Sequence, residues 1–257
     1  MTSNHEPRDP NFVEVPEMLK HPLRPRDRAD VIAESGAPQP ASVVEVHEHA
    51  HNNAGDASTT GLYLYGLVRA RAFRGRERRR EGGVQRIRYR DLEALVREVP
   101  FVVPSDSSRA VDEHQRTVEM IMRRTTVLPA PFGIVFKGRR QLIKMMQDQY
   151  LVLDEGLSLL DGHWELRLHI ATIAVGEIEE DQGDRAMNIY SELRRFARAA
   201  VTFPSETRRL VSAAFLVDRT TWVEFVERIE DYGTHHSDLT FDVTGPWPAY
   251  DFVRIVI

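Results

Sequence analysis

Four stretches of this sequence carry residue types that could do chemistry. In Glu45-Val46-His47-Glu48-His49-Ala50-His51, imidazoles alternate with carboxylates, a donor set suited to a divalent cation. A structural metal site wants about four ligands, each held by outer hydrogen bonds. This stretch lies in a proline-bearing, linker-like region. It therefore reads as a polar tail with adventitious metal affinity, and no resident metal is expected. Arg69 to Arg80 places seven arginines in 12 residues, a local positive field that could grip phosphates or an acidic protein surface. Nucleic acid would also call for stacking aromatics, and only Phe73 is near. The run reads as a solvated loop, with Arg69, Arg71, Arg74 and Arg76 as candidate contacts to a protein partner. His114 stands beside Glu113 in a helical pattern with no nucleophile implied, and His235-His236 reads as a solvated turn after Gly233.

No enzyme signature accompanies these residues. There is no G-x-x-x-x-G-K-[ST] phosphate loop, no G-x-G-x-x-G turn after a strand, no G-x-S-x-G elbow and no H-E-x-x-H helix. The 39 acidic residues offer no pair that the sequence singles out. Catalytic, metal and cofactor residues are accordingly not assigned. Cysteine is absent, which excludes disulfides, thiolate metal sites and thiol catalysis. The net charge of −5 favours solubility and gives no general reason to expect nucleic-acid binding. The N-terminus lacks the charged and apolar regions of a secretory signal, and no apolar run reaches the length of a membrane span. A cytoplasmic location is the expectation.

The elements that would position these residues start late. Residues 1–60 carry prolines at 7, 10, 16, 22, 25, 38 and 40, and apolar residues without period. They read as a disordered extension with a short helix near Ala29–Glu34, because such a segment buries too little to offset its ordering entropy. Strands are predicted at Leu62–Val68 and Val84–Tyr89. A short helix capped by Asp91 is predicted from Leu92 to Arg97, then an extended piece at Phe101–Pro104. An amphipathic helix follows over Arg109–Arg124. Val127–Phe136 reads as extended, with Pro129 and Pro131 barring it from the middle of a sheet. One long helix is predicted over Arg139–Leu160, then a strand at Trp164–Val175. The last third reads as a helix over Asp184–Ala200, a strand at Arg209–Val217, a helix over Thr221–Tyr232 ended by Gly233, and a strand at Leu239–Val243. A turn at Gly245–Pro248 and a final strand at Tyr250–Ile257 complete it.

This alternation predicts an α+β fold of two small ferredoxin-like α/β sandwich domains behind the disordered extension. The first covers residues 61–175. The second covers 176–257 and shares or abuts the strand at 164–175.

Two segments go beyond generic patterning. Val127-Leu128-Pro129-Ala130-Pro131-Phe132-Gly133-Ile134-Val135-Phe136 resembles the V-L-P-x-R-F-G-T-x-F segment of the gas vesicle GvpL/GvpF family. Thr244-Gly245-Pro246-Trp247-Pro248-Ala249-Tyr250-Asp251-Phe252 resembles that family's T-G-P-W-P-P-Y-x-F ending, and Leu62–Val68 is similar to its opening strand. Pro131, Ile134 and Ala249 depart from the family's usual Arg, Thr and Pro. The motif residues Pro129, Phe132, Gly133, Gly245, Pro246, Trp247, Pro248 and Tyr250 are expected to act mainly by holding the fold. The resemblance implies a non-enzymatic gas vesicle accessory protein, located with gas vesicles in the cytoplasm. Such a protein would assist shell assembly by binding the hydrophobic structural subunit, and other accessory proteins are further possible partners. The rival classes are a small α+β enzyme and a scaffold for other accessory proteins.

Overall fold

A computed structural model describes residues 60–70, 83–101, 107–173, 180–204, 208–253 and 255. The extension expected over 1–60, its short helix and its histidine cluster lie outside the described residues, Thr60 excepted. So do Arg71, Arg74 and Arg76.

The described chain builds two antiparallel sheets, with helices. Strand β1 (Thr60–Arg69) is central to the first sheet. Its neighbours are β3 (Leu92–Pro100) on one side, and β4 (Val127–Pro129) and β5 (Val135–Phe136) on the other; β2 (Gln85–Tyr89) flanks β3. β1 is an unbroken apolar run because both of its faces are covered. Leu62, Leu64 and Leu67 enter one core cluster; Tyr63, Tyr65 and Val68 enter another. A bulge between Leu64 and Gly66 shifts the alternation by one residue, which keeps both faces apolar. Helix α1 (Ser108–Met122) covers the tyrosine face through His114, Thr117, Val118 and Met122. The Ser107 side chain caps it on the Ala110 amide. Helices α2 (Arg139–Asp148) and α3 (Tyr150–Leu160) supply Leu142, Met146, Leu153 and Leu157 to the leucine face.

The second sheet runs β7 (Ala199–Phe203), β8 (Arg209–Asp218), β6 (His163–Thr172), β9 (Leu239–Trp247). With helices α4 (Glu180–Leu193) and α5 (Trp222–His235), the chain order is βαββαβ, the ferredoxin-like pattern. Phe215 on β8 meets Tyr190 of α4 and Phe225 of α5, so both helices lie on one face. Strand β6, expected near a domain boundary, is an interior strand of this sheet. The first sheet repeats the same strand order, its second strand outermost and its fourth beside its first.

Several expectations need correction. Leu92–Arg97 is a strand, not a helix. Tyr89 pairs with Leu92 across a two-residue turn in which Arg90 adopts a left-handed conformation, φ 53°. Asp91 caps no helix; it accepts a hydrogen bond from the Tyr150 hydroxyl and an ion pair from Arg69. The long helix is two, broken at Gln149. α4 ends at Leu193, and residues 199–200, expected as the end of that helix, open strand β7. α5 continues through Gly233 to His235. Residues 245–247 are the end of strand β9 and not a turn, and the final strand is absent among the described residues. Tyr250–Phe252 turn instead, and Val253 packs against α3. There Gly156 makes room, since a Cβ on it would lie 2.8 Å from Val253 Cγ1. Ala249 and Ile255 are buried in the leucine-face core together with Leu216 of β8, so this core joins the two sheets.

Candidate functional site

The three motif segments meet at one buried imidazole. His114 projects from α1 and is 4% exposed. Its Nε2 lies 3.0 Å from the Ala130 carbonyl oxygen and its Nδ1 lies 2.7 Å from the Tyr63 hydroxyl. A carbonyl only accepts, so Nε2 carries the proton, and Nδ1 accepts from Tyr63. The Tyr63 oxygen also receives the Gly133 amide at 3.4 Å, and the Tyr250 hydroxyl lies 3.4 Å from Nε2. Opening strand, central proline segment and C-terminal motif thus close on His114. Tyr65 stacks on the ring, with Tyr63 and Phe132 edge-on to it.

Burial holds His114 neutral, its pKa lowered to about 4 against the opposing pull of the Ala130 bond. Burial likewise raises the Tyr63 and Tyr250 phenols, so both stay protonated. With both ring nitrogens engaged, the His114 cluster ties the three segments together. Beside it opens a pocket of about 230 Å³, walled by Tyr63, Tyr65, Val99 and Phe132 and bordered by an Arg97–Glu113 ion pair of 2.7 Å. The Arg97 hydrogen bond holds the Glu113 carboxyl below its ordinary range. The Arg97 guanidinium lies 5.4 Å from the centre of the Tyr65 ring.

A second polar cluster anchors the C-terminal motif. Glu165 on β6 is fully buried, and its Oε1 accepts from Arg167 Nε at 2.8 Å. Arg167 also pairs with Asp251 at 2.8 Å, and the Asp251 amide donates to Glu165 Oε2 at 3.1 Å. Burial pushes the Glu165 carboxyl up to about 8 against the pull of Arg167. Gly245 sits above this pair: its φ is 128°, and a Cβ there would lie 2.9 Å from the Glu165 carbonyl oxygen. Only glycine fits both constraints. Trp247 Nε1 donates to Thr244 Oγ1, and Pro248 is buried beside it. The sequence reading did not find the Glu165–Arg167–Asp251 cluster. Its one trace is the charge of Glu165 and Arg167 on either side of Leu166 in a strand.

The structure thus brings Pro129, Phe132, Gly133 and Tyr250 around or beside His114, and Gly245, Pro246, Trp247 and Pro248 along the end of β9. Arg69 stands apart from both. Its guanidinium, at the surface, is engaged by the protein's own groups, paired with Asp91 and Asp154 and donating to Ser158 Oγ at 2.8 Å. It staples β1 to α3. Among the described residues no group of three or more His, Asp or Glu could hold a metal ion, and no helix is long and apolar enough to cross a membrane.

Comparison with known proteins agrees with this geometry. The sequence model of the family described as gas vesicle synthesis protein GvpL/GvpF matches residues 61–174 and 171–254, so the two matched segments reach both sheets. The chain is similar to gas vesicle protein F1 of Halobacterium salinarum, 26% identical over 77% of this chain and 95% of the relative. It is also similar to gas vesicle protein F of Haloferax mediterranei, 29% identical over 76% of this chain and 94% of the relative. Among solved structures it resembles the crystal structure of GvpF from Anabaena sp. PCC7120, with a TM-score of 0.65 and 18% identity over 77% of this chain and 98% of that one. The GvpF crystal structure from Microcystis aeruginosa matches with a TM-score of 0.62, also at 18% identity, over 75% of this chain and 98% of that one. At that identity these two speak for the fold.

Proposed function

Since this chain belongs to the gas vesicle GvpL/GvpF family, we propose that it is a gas vesicle accessory protein that assists shell nucleation and assembly by binding the hydrophobic structural subunit. The observation that carries the reading is the family match across residues 61–254. Curated relatives named gas vesicle proteins F support it. The physical rationale is that a shell subunit bearing apolar surface and strand edges aggregates before assembly unless a partner shields it. Recognition, not catalysis, is the proposed activity: the His114 clamp and the Glu165 cluster direct their polar atoms at the protein's own segments. Open surface is left for contacts, including the aromatic pocket and the sheet edges. On this reading the protein acts where vesicles form, in the cytoplasm.

Deletion of the gene in its host, with vesicles scored by electron microscopy, tests the proposal. Vesicles should be lost or malformed, and a plasmid copy should restore them. Vesicles of normal number and shape after deletion would remove the assembly role. A pull-down from the same host should recover the shell subunit; recovery of other accessory proteins without it would favour the scaffold reading.

A further inference from the structure

Of the sheet edges among the described residues, three are guarded against pairing with another chain. Edge strand β2 carries Arg86 and Arg88; β4 ends in Pro129; β9 carries an exposed Asp242 and Pro246. Charges and prolines of this kind are how natural proteins blunt an edge. Of the two unguarded edges, β5 is only two residues long, and strand β7 is the one with the length to pair with another strand. Its five residues Ala199-Ala200-Val201-Thr202-Phe203 hold no charge and no proline, and among the described residues it pairs only with β8.

The approach to β7 is strongly basic. Arg194, Arg195 and Arg198 are exposed, and none makes an ion pair or side-chain hydrogen bond within the described structure. Phe196, 51% exposed, stands among them, with the Arg228 guanidinium 3.9 Å from its ring centre. The nearest acid in sequence, Glu192, accepts from the Tyr232 hydroxyl. Glu224 and Glu227 on α5 offset part of the Arg228 charge.

We propose that the outer edge of β7 receives an extended, carboxylate-bearing segment of another protein, which adds as a fifth strand to the second sheet. Main-chain hydrogen bonds to β7 give affinity, and carboxylates next to Arg194, Arg195 and Arg198 give selectivity. The same arginines argue against a second copy of this chain as the occupant. Two β7 edges paired in parallel would set two such clusters side by side, where like charges disfavour the pairing, and antiparallel self-pairing is an outcome that the test below reads. The inference builds on the binding-module reading above and narrows it to one edge and one class of segment.

The test uses the purified full-length chain and two fluorescent decapeptides, one alternating valine with glutamate and one alternating valine with lysine. The glutamate peptide should bind and the lysine peptide should not. Binding should weaken on raising salt from about 50 to about 300 mM, and hydrogen exchange should slow at 199–203. The triple variant R194E/R195E/R198E, at exposed positions that leave the core intact, should lose at least about tenfold in affinity for the glutamate peptide and gain the lysine peptide. No binding up to about 1 mM, affinity unchanged by the triple variant, or protection confined to another edge would each overturn the proposal. So would concentration-dependent self-association through 199–203. No vesicle component enters the experiment, so its failure leaves the assembly reading standing, and normal vesicles after gene deletion would leave the docking edge standing.

Discussion

His114 and Glu165 are both buried, and burial shifts them in opposite directions on the pH scale. For His114 the folded pKa, about 4, lies below the ordinary 6.5. Between these values the unfolded chain binds the extra proton, so its contribution to stability is present above 6.5 and is lost as pH falls toward 4. For Glu165 the folded pKa, about 8, lies above the ordinary 4.5. There the folded chain holds the extra proton, so its contribution is present below 4.5 and is lost as pH rises toward 8. The groups facing each are few: Tyr63 and Tyr250 at His114, Arg167 and Asp251 at Glu165. The two slopes oppose each other between 4.5 and 6.5, so urea midpoints against pH should show a broad maximum there and fall on both sides. Glu165→Gln keeps an acceptor for the Asp251 amide and should abolish the decline between 6.5 and 8, moving the maximum upward. A variant whose upper limb still falls would remove Glu165 as its source. Neither group was legible as a pair in the sequence. His114 stood out only as a lone helical histidine, because its partners lie 51 and 136 residues away in the chain.

At the scale of elements, what the sequence revealed depended on whether the deciding contact was local. The α1 pattern and the strands β1, β6 and β8 follow from periodicity and turn chemistry, and they are present. Leu92–Arg97 failed because its helix-compatible residues sit between two strands, and that placement overrides propensity. The hairpin signal was also missing, since the turn is Arg90-Asp91 in place of the favoured Asn-Gly. Two glycines make the contrast measurable. Gly233 lies inside α5, and a Cβ there would have only an ordinary 3.7 Å contact to Phe241. Gly233→Ala should therefore raise stability by about 0.5–1 kcal/mol. Gly245 lies in β9 with positive φ and the Glu165 carbonyl oxygen 2.9 Å from its missing Cβ. Backbone cannot step aside, so Gly245→Ala should cost more than about 1 kcal/mol. Denaturant midpoints moving in the same direction for both variants would refute this assignment.

For the whole molecule, two sheets of the same strand order share one apolar core: Leu62 and Leu128 belong to the same cluster as Leu216, Ala249 and Ile255. The two halves should therefore unfold in a single transition. Trp222 lies on α5 in the second half, whereas Trp164 packs on the first sheet's tyrosine-face core, so the chain carrying Trp164→Phe and Trp247→Phe leaves Trp222 fluorescence as the report on the second half. Hydrogen exchange along β1 reports the first half. The two denaturation curves should coincide, and a separation between their midpoints would show that the shared core does not couple the sheets. The fold class, two sheets and their helices, was visible in the alternation of the sequence. The tail was not: Tyr250–Ile257 has the composition of a strand, yet Val253 packs against Gly156 and Ile255 is buried in the shared core. That filling has a consequence for the order of events on the ribosome. Leu157 is made 98 residues before Ile255, on the order of ten seconds at ordinary elongation rates. Throughout that interval the nascent first sheet displays the apolar cleft that Val253 and Ile255 will cover. Synthesis itself thus exposes a greasy, half-built surface for seconds, and whatever meets the chain at its birth meets a different molecule from the one that later works.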